Sequence, residues 1–155
     1  MSVKPIPDGY HTVTPYLIVK DAAKAIDFYK KAFGAVELLR MNGPDGSVGH
    51  AEIRIGDSPV MLGSECPVMG TKGPETLGGS AVSILIYVED VDARVKQAVS
   101  AGGNLDRPVQ DQFYGDRSGT LTDPCGHVWT IATHKEDLTM EEIKARCEKL
   151  MKQAG

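Results

Sequence analysis

A chain of 155 residues is long enough for one domain with a hydrophobic core. Its 41% apolar and 25% charged residues are typical of globular proteins. No apolar run reaches the roughly 20 residues that a membrane-spanning helix requires. The net charge of −4 argues against nonspecific nucleic-acid binding. We therefore expect neither a membrane protein nor a nucleic-acid-binding protein.

The three cysteines, Cys66, Cys125 and Cys147, are widely spaced and form no CxxC pair. An odd number of cysteines at these spacings is not typical of a disulfide framework or a zinc ribbon. The first residues also lack the apolar core of a signal peptide. These features predict a protein of the reducing cytoplasm.

The first half of the chain predicts the element order β-α-β-β-β. Residues 13–19 alternate in a way that favours a strand with both faces covered. Asp21 then caps a helix over 22–33, whose apolar residues recur at helical spacing, and Gly34 ends it. Turns rich in Gly, Asn and Asp separate three further strands, which we predict at 36–41, 48–55 and 60–63.

The second half repeats the first at an offset of 69 residues, which carries Asp21 onto Asp90. A duplicated unit of this size predicts two modules that complete one sheet together. Between the halves, residues 65–79 contain two prolines and four glycines, and predict a linker or a mobile flap over a site. We predict the fifth strand at 80–88, the second helix at 90–101, and the remaining strands at 105–109, 120–123 and 127–133.

The C-terminal segment predicts an amphipathic helix over 140–152. Thr139 and Glu142 have the spacing of a capping box, in which Thr139 caps the helix and Glu142 reaches back. We expect this helix to pack on the domain, with a dimer contact or a lid as the alternative. Its expected inward residues are Ile143, Cys147, Leu150 and Met151.

Both ends of the repeat carry motifs of a known family. The opening has Pro15-Tyr16-Leu17-Ile18-Val19, followed by Ala25-Ile26-Asp27-Phe28-Tyr29 and Ala32-Phe33-Gly34-Ala35. The ending runs from Tyr114-Gly-Asp-Arg117 to Thr133 through the turn Asp123-Pro-Cys-Gly126. Over residues 12–135 the chain resembles the vicinal-oxygen-chelate superfamily, in its PhnB-like branch of glyoxalase- and bleomycin-resistance-like proteins. The superfamily hosts many chemistries, so the resemblance is specific for the fold and not for an activity.

The resemblance implies an α+β fold, in which two βαβββ modules form a curled mixed sheet around a cup. It implies a homodimer, in some members with modules exchanged so that each cup uses both chains. The single domain divides into module one (12–64), the linker or flap (65–79), module two (80–134) and a C-terminal helix (135–155).

In the metal enzymes of this superfamily, four metal ligands come from the first and last strands of each module. Counting from the matched motifs carries these positions onto Thr14, Met61, Ser83 and Thr130. None of them is a histidine or a carboxylate, the ligands that a divalent ion requires in such a site. We therefore predict no cofactor and a cup without the inherited metal, with a metal bound elsewhere as the alternative.

His50 and Glu52 alternate with Ala51, Ile53 and Ile55 in the third predicted strand, so they face away from the apolar set. If that face lines the cup, the two side chains are candidates for acid–base catalysis. The alternative is a solvated or structurally paired polar face.

Further candidates for ligand contacts are aromatic residues and one arginine. Tyr16 and Tyr87 lie on the strand faces that the family positions use, where they would give the cup flat apolar walls or fill the core. Arg117 could hold a carboxylate or a phosphate, or it could pair with Asp116 or Asp123. The predicted ligand-binding set is Thr14, Tyr16, Met61, Ser83, Tyr87, Phe113, Tyr114, Arg117 and Thr130.

Three functions are compatible with these patterns. We favour a binding protein whose metal-free cup holds a small organic ligand. The second is an enzyme of the lyase or isomerase kind, which uses His50 and Glu52 or a divalent metal bound in another way. The third is a structural or regulatory dimer with a vestigial pocket.

Overall fold

Two β-α-β-β-β units follow each other in the computed structural model, which describes residues 3–154. The first unit forms a sheet of order β1-β4-β3-β2 and the second a sheet of order β5-β8-β7-β6. The predicted α+β fold class is confirmed, although the two sheets remain separate within one chain. The elements are β1 (Tyr16–Val19), α1 (Ala22–Phe33), β2 (Val36–Asn42), β3 (Val48–Ile55), β4 (Ser58–Ser64), α2 (Pro74–Leu77), β5 (Ser83–Tyr87), α3 (Val91–Ser100), β6 (Asn104–Asp111), β7 (Asp116–Thr122), β8 (Val128–His134) and α4 (Met140–Ala154).

The predicted repeat holds at the level of single hydrogen bonds. Asp21 and Asp90 have nearly identical backbone angles, φ −133° with ψ 96° and φ −132° with ψ 98°. Each carboxylate accepts from a backbone N–H in the first turn of its helix. The hydroxyl groups of Ser64 and Thr133 accept from the first N–H of α1 and α3, respectively. The same offset of 69 residues therefore relates the caps and the strand ends that support them.

The two units are joined by helix packing and by one buried carboxylate. Trp129 of β8 is fully buried, and its ring centroid lies 4.8 Å from that of Phe33 and 5.3 Å from that of Tyr29 in α1. Asp123 is also buried, and its Oδ2 accepts from the Tyr29 hydroxyl at 2.7 Å and from the Trp129 indole N–H at 2.8 Å. Burial and the Asp123 charge together raise the pKa of Tyr29 well above its usual value.

Three strands begin three or four residues away from their predicted starts. The first strand begins at Tyr16 and not at Val13, and the fifth begins at Ser83 and not at Ser80. In contrast, β7 begins at Asp116, four residues before the predicted start. The first residues of β7 are polar or small and show no apolar alternation, so the sequence does not predict a strand there. Pairing with both β6 and β8 nevertheless holds these residues in the sheet.

Part of the segment 65–79 is docked against the first unit. It contains a 3-10 turn at Pro67–Met69 and the single helical turn α2. The Glu65 carboxylate accepts from the Gly73 N–H at 2.7 Å, and Pro74 is buried. Gly73 packs so closely on β1 that a Cβ there would lie 2.7 Å from the Ile18 carbonyl oxygen. This half of the segment is therefore a strap across the end of β1.

The capping box at the C-terminal helix is confirmed. The Glu142 carboxylate accepts from the Thr139 N–H at 2.8 Å, and the Thr139 hydroxyl accepts from the Glu142 N–H at 3.3 Å. The expected packing of α4 is wrong for the single chain, since no residue of α4 is buried and it packs against no other element within residues 3–154. Of the expected inward residues, Ile143 and Cys147 are half-buried, and Leu150 and Met151 are exposed. None of the helices described combines the length and apolarity needed to cross a membrane.

Candidate functional site

One face of each sheet packs on the helices, and the other face is left without a helical cover. In β3, Ala51, Ile53 and Ile55 are buried, whereas His50 and Glu52 point to the opposite side. We call this uncovered side the open face of the first sheet. The strand register adds further residues to it, namely Tyr16 of β1, Met61 of β4, and Leu39 and Met41 of β2.

A hydrogen-bonded cluster occupies the middle of this open face. The Tyr16 hydroxyl lies 2.9 Å from His50 Nδ1, and His50 Nε2 lies 3.2 Å from Glu52 Oε1. The Tyr10 hydroxyl, from the segment before β1, donates to Glu52 Oε2. We call Tyr10, Tyr16, His50 and Glu52 the tyrosine–histidine cluster.

The cluster determines the charge of its carboxyl group. The Tyr10 hydroxyl, and to a lesser degree His50, lowers the pKa of Glu52, while the Glu52 carboxylate raises the pKa of Tyr10. Glu52 is therefore ionised at neutral pH and both of its oxygens act as acceptors. The structure thus brings together the two predicted acid–base candidates and adds two phenol groups to them.

A cavity of about 420 Å³ adjoins the cluster. It is lined by Tyr10, Leu38 and Arg54, together with the turn between β3 and β4 and the chain at Asp8. Arg54 continues the β3 alternation of His50 and Glu52, so its guanidinium belongs to the same open face. This face therefore combines apolar walls, phenols, one carboxylate and one guanidinium.

The open face of the second sheet carries its own polar group. Tyr87 of β5 donates its hydroxyl to Asp116 Oδ2 at 2.9 Å, and His134 Nδ1 lies 2.7 Å from Asp116 Oδ1. The carboxylates of Asp116 and then of Asp137 raise the pKa of His134. The sequence does not predict the pairing of Asp116 with His134, because the polar residues at the start of β7 are typical of a loop.

Residues 10–131 match the model of the Glyoxalase/Bleomycin resistance protein/Dioxygenase superfamily. The chain belongs to this superfamily. It is 46% identical over 136 residues to the uncharacterized protein Mb0911c of Mycobacterium bovis, covering 86% of this chain and 90% of that protein. Among solved structures, TioX from Micromonospora sp. ML1 is 27% identical with a TM-score of 0.64, covering 80% of this chain and 98% of that one.

The fosfomycin resistance protein FosX from Listeria monocytogenes shares the fold at 18% identity and a TM-score of 0.61, over 86% of this chain and 97% of that one. The predicted resemblance is therefore confirmed at the level of the superfamily. An identity this low carries no further likeness than the fold.

The four metal positions of the superfamily fall on two different sheets of this chain. Met61 lies beside Tyr16 on the first sheet, with Thr14 just before β1, while Thr130 lies beside Leu85 on the second, with Ser83 at the start of β5. The Thr130 hydroxyl is engaged with that of Thr120 at 3.1 Å. Two threonines, a serine and a methionine do not fit a divalent ion, which takes imidazole or carboxylate ligands. Nor does any part of residues 3–154 gather three His, Cys, Asp or Glu side chains in a way that suits a metal.

Arg117 does not lie on an open face. Its guanidinium bonds both carboxylate oxygens of Asp92 in α3, at 2.8 and 2.9 Å, and one oxygen of Asp111 at 3.1 Å. The carboxylates that engage Arg117 are therefore Asp92 and Asp111, and not Asp116 or Asp123. Since Arg117 alternates with Asp116 along β7, its side chain falls on the helix side of the sheet.

The two remaining aromatic candidates lie in the turn between β6 and β7. The rings of Phe113 and Tyr114 pack edge to face with their centroids 5.3 Å apart. Tyr114 is partly exposed beside the start of β7, where the Asp116 carboxylate lies. The two rings thus lie at the end of the second sheet that carries Tyr87 and His134, and not near Thr130 in its middle.

Burial also argues against Cys125, in the turn just before β8, as a nucleophile. Cys125 is buried in the turn after Asp123, and desolvation with the nearby Asp123 charge raises the pKa of its thiol to about 12. His127 in the same turn bonds the Ile18 carbonyl through Nε2 at 3.0 Å, which fixes the second unit on β1. Both side chains therefore belong to the junction between the units and not to a reacting centre.

Proposed function

We propose that this protein binds a small organic ligand between open sheet faces and does so without a metal. The observation that carries the proposal is the tyrosine–histidine cluster, which lies among the apolar side chains of the open face. Binding sites for small molecules are typically apolar surfaces with a few polar groups that orient the ligand. The residues at the inherited metal positions support the absence of a metal, because they are poor ligands for one.

The proposal includes a homodimer in which the first sheet of one copy faces the second sheet of the other. No strand of one sheet lies beside a strand of the other sheet within the described part of the chain. Within the described residues, β5 has one edge without a partner strand, and it borders a groove of about 940 Å³. Such edges are usually covered in stable proteins. A second copy would cover this edge and turn two half-sites into one cup.

The same proposal assigns the chain to the PhnB-like branch and to the cytoplasm. The branch rests on the ending motif from Tyr114 to Thr133. The location rests on Cys66, Cys125 and Cys147, none of which is paired in a disulfide.

Ligand binding is tested by thermal-shift and calorimetric screening with amphipathic compounds, bleomycin-type compounds among them. A ligand that binds the folded state raises the melting temperature. Tyr16→Ala and Tyr87→Ala should each weaken binding roughly tenfold, because each removes an aromatic wall. Val68→Ala, at a fully exposed position of the 3-10 turn, is the control and should bind normally. If no compound of the library binds and a structure of the dimer shows a closed cup, the third function is favoured, a structural or regulatory dimer with a vestigial pocket.

Mixing the two tyrosine variants tests whether the cup is shared. In a dimer of one Tyr16→Ala chain and one Tyr87→Ala chain, a shared cup collects both changes in one site and leaves the other site intact. We therefore expect co-refolded variants to recover about one wild-type site per mixed dimer. If each cup used one chain alone, every site would carry a change and nothing would be recovered. Ultracentrifugation of the wild-type protein measures the dimer itself.

A second candidate function is acid–base catalysis. The observation that favours it is the direct contact of His50 Nε2 with Glu52 Oε1 on the open face. A turnover assay with the methylglyoxal–glutathione adduct, with and without added divalent metal, tests it. His50→Ala should abolish any conversion found. Conversion that survives in this variant would assign the chemistry to other groups.

A further inference from the structure

Every hydrogen-bonding atom of the tyrosine–histidine cluster has a partner within the cluster. Glu52 accepts on one oxygen from the Tyr10 hydroxyl and faces His50 Nε2 with the other. The remaining ring nitrogen, His50 Nδ1, lies 2.9 Å from the Tyr16 hydroxyl. The cluster is thus an unbranched chain with a phenol at each end.

The direction of these hydrogen bonds follows from Glu52. An ionised carboxylate only accepts, so His50 Nε2 carries the ring proton. In the neutral form of the ring, Nδ1 then has no proton and accepts from the Tyr16 hydroxyl. In this form both phenols turn their O–H inward, Tyr10 to Glu52 and Tyr16 to His50. The lone pairs of both phenol oxygens are left for whatever occupies the open face.

A tyrosine of the second sheet also donates its hydroxyl proton to a neighbouring side chain. The Tyr87 hydroxyl donates to the Asp116 carboxylate, so its oxygen also presents lone pairs outward. Tyr16 is 49% exposed and Tyr87 64% exposed, whereas the side chains of His50 and Glu52 are only 22% and 18% exposed. Within each polar group, the tyrosine is therefore more exposed to a ligand than the carboxylate that it contacts directly or through His50.

We propose that the tyrosine–histidine cluster selects ligands that present a hydrogen-bond donor, either an aromatic hydroxyl or an N–H. The Tyr16 hydroxyl oxygen accepts the hydrogen bond from this donor. This inference rests on the proposed function, since it concerns the same open face. An acceptor group placed there would face the Tyr16 lone pairs and lose its hydrogen bond to water. Met61, Met41 and Leu39 surround the cluster and suit the flat apolar body of such a ligand.

Arg54, on the same open face, favours a different class of ligand, namely an anion. Its guanidinium lies on the same strand beyond Glu52, beside the cavity of about 420 Å³. A ligand chosen by Arg54 would be an anion, because a guanidinium pairs with carboxylates and phosphates. A preference for donors and a preference for anions can therefore be distinguished with small aromatic probes that differ in one substituent.

The test uses 4-methylphenol, 4-methylanisole and 4-methylbenzoate as probes, with binding followed by NMR on isotopically labelled protein. We expect 4-methylphenol to bind roughly 2- to 10-fold more tightly than its methyl ether, the range that one hydrogen bond supplies. Tyr16→Phe should remove this difference while both probes still bind. A tighter fit of 4-methylbenzoate, or equal binding of phenol and ether, overturns the inference and leaves ligand binding itself standing. If none of the three probes binds, the inference fails, and the library screen decides separately whether the proposed function stands.

The ring proton of His50 is tested independently of any ligand. Long-range 1H–15N correlation spectra at pH 8 separate the two neutral tautomers of a histidine. We expect the proton of His50 on Nε2, and Glu52→Gln should shift the tautomer balance because the amide no longer requires a donor. A proton on Nδ1 in the wild-type protein would reverse the polarity of Tyr16 and refute the inference.

Discussion

Asp123 offers the sharpest test of how the two units are held together. Its buried carboxylate accepts four hydrogen bonds, from the Tyr29 hydroxyl at 2.7 Å, the Trp129 indole at 2.8 Å, and the N–H groups of Cys125 and His127 at 2.8 and 3.0 Å. Asp123→Ala would leave these donors without a partner. At about 1 kcal/mol for each bond, the expected loss in the free energy of unfolding is about 4 kcal/mol. That is a large share of the roughly 5–15 kcal/mol of a typical domain.

The protein contains its own probe for this experiment. Trp129 is the sole tryptophan and touches the substituted residue, so urea unfolding followed by its fluorescence reports on the junction. Asp123→Asn should lose about half as much, because its amide oxygen still accepts from the two backbone N–H groups. Asp27→Ala, at an exposed position of α1, is the control and should stay within about 0.5 kcal/mol of wild type. A loss below about 1 kcal/mol for Asp123→Ala would refute the view that this carboxylate joins the units.

Three further predictions concern acid stability, the C-terminal helix and the strap. Hydrogen bonds from Arg40 and a neighbouring lysine lower the pKa of Glu37 to about 2, so its contribution to stability is present above the unfolded-state pKa near 4.5 and is lost as the pH falls towards 2. Glu37→Gln should therefore flatten the acid limb of the stability curve measured by urea unfolding, and an unchanged limb contradicts this. Removal of residues 140–155 should leave the urea midpoint unchanged, because α4 packs on no other element within residues 3–154, and a clear drop in the midpoint would contradict this. Gly73→Ala should lower the melting temperature because its Cβ would meet the Ile18 carbonyl, and wild-type stability would contradict the strap.

Local patterns sufficed for the repeat and for the faces of the strands. The aspartates that begin α1 and α3 cap their helices through backbone groups only three residues away, so nothing distant is needed to predict them. The alternation of β3 likewise places His50 and Glu52 opposite the buried set, since successive side chains of a strand point to opposite faces. These predictions hold because the physical cause lies within a few residues of its effect.

Tertiary structure alone decided which side chains meet. Arg117 pairs with Asp92, 25 residues away, and Tyr29 with Asp123, 94 residues away. Tyr10 reaches Glu52 only because the segment before β1 folds back across the open face. Such partners depend on how helices and sheets pack, which no spacing along the chain records. The same reason applies to α4, whose apolar stripe predicted burial that the single chain does not supply.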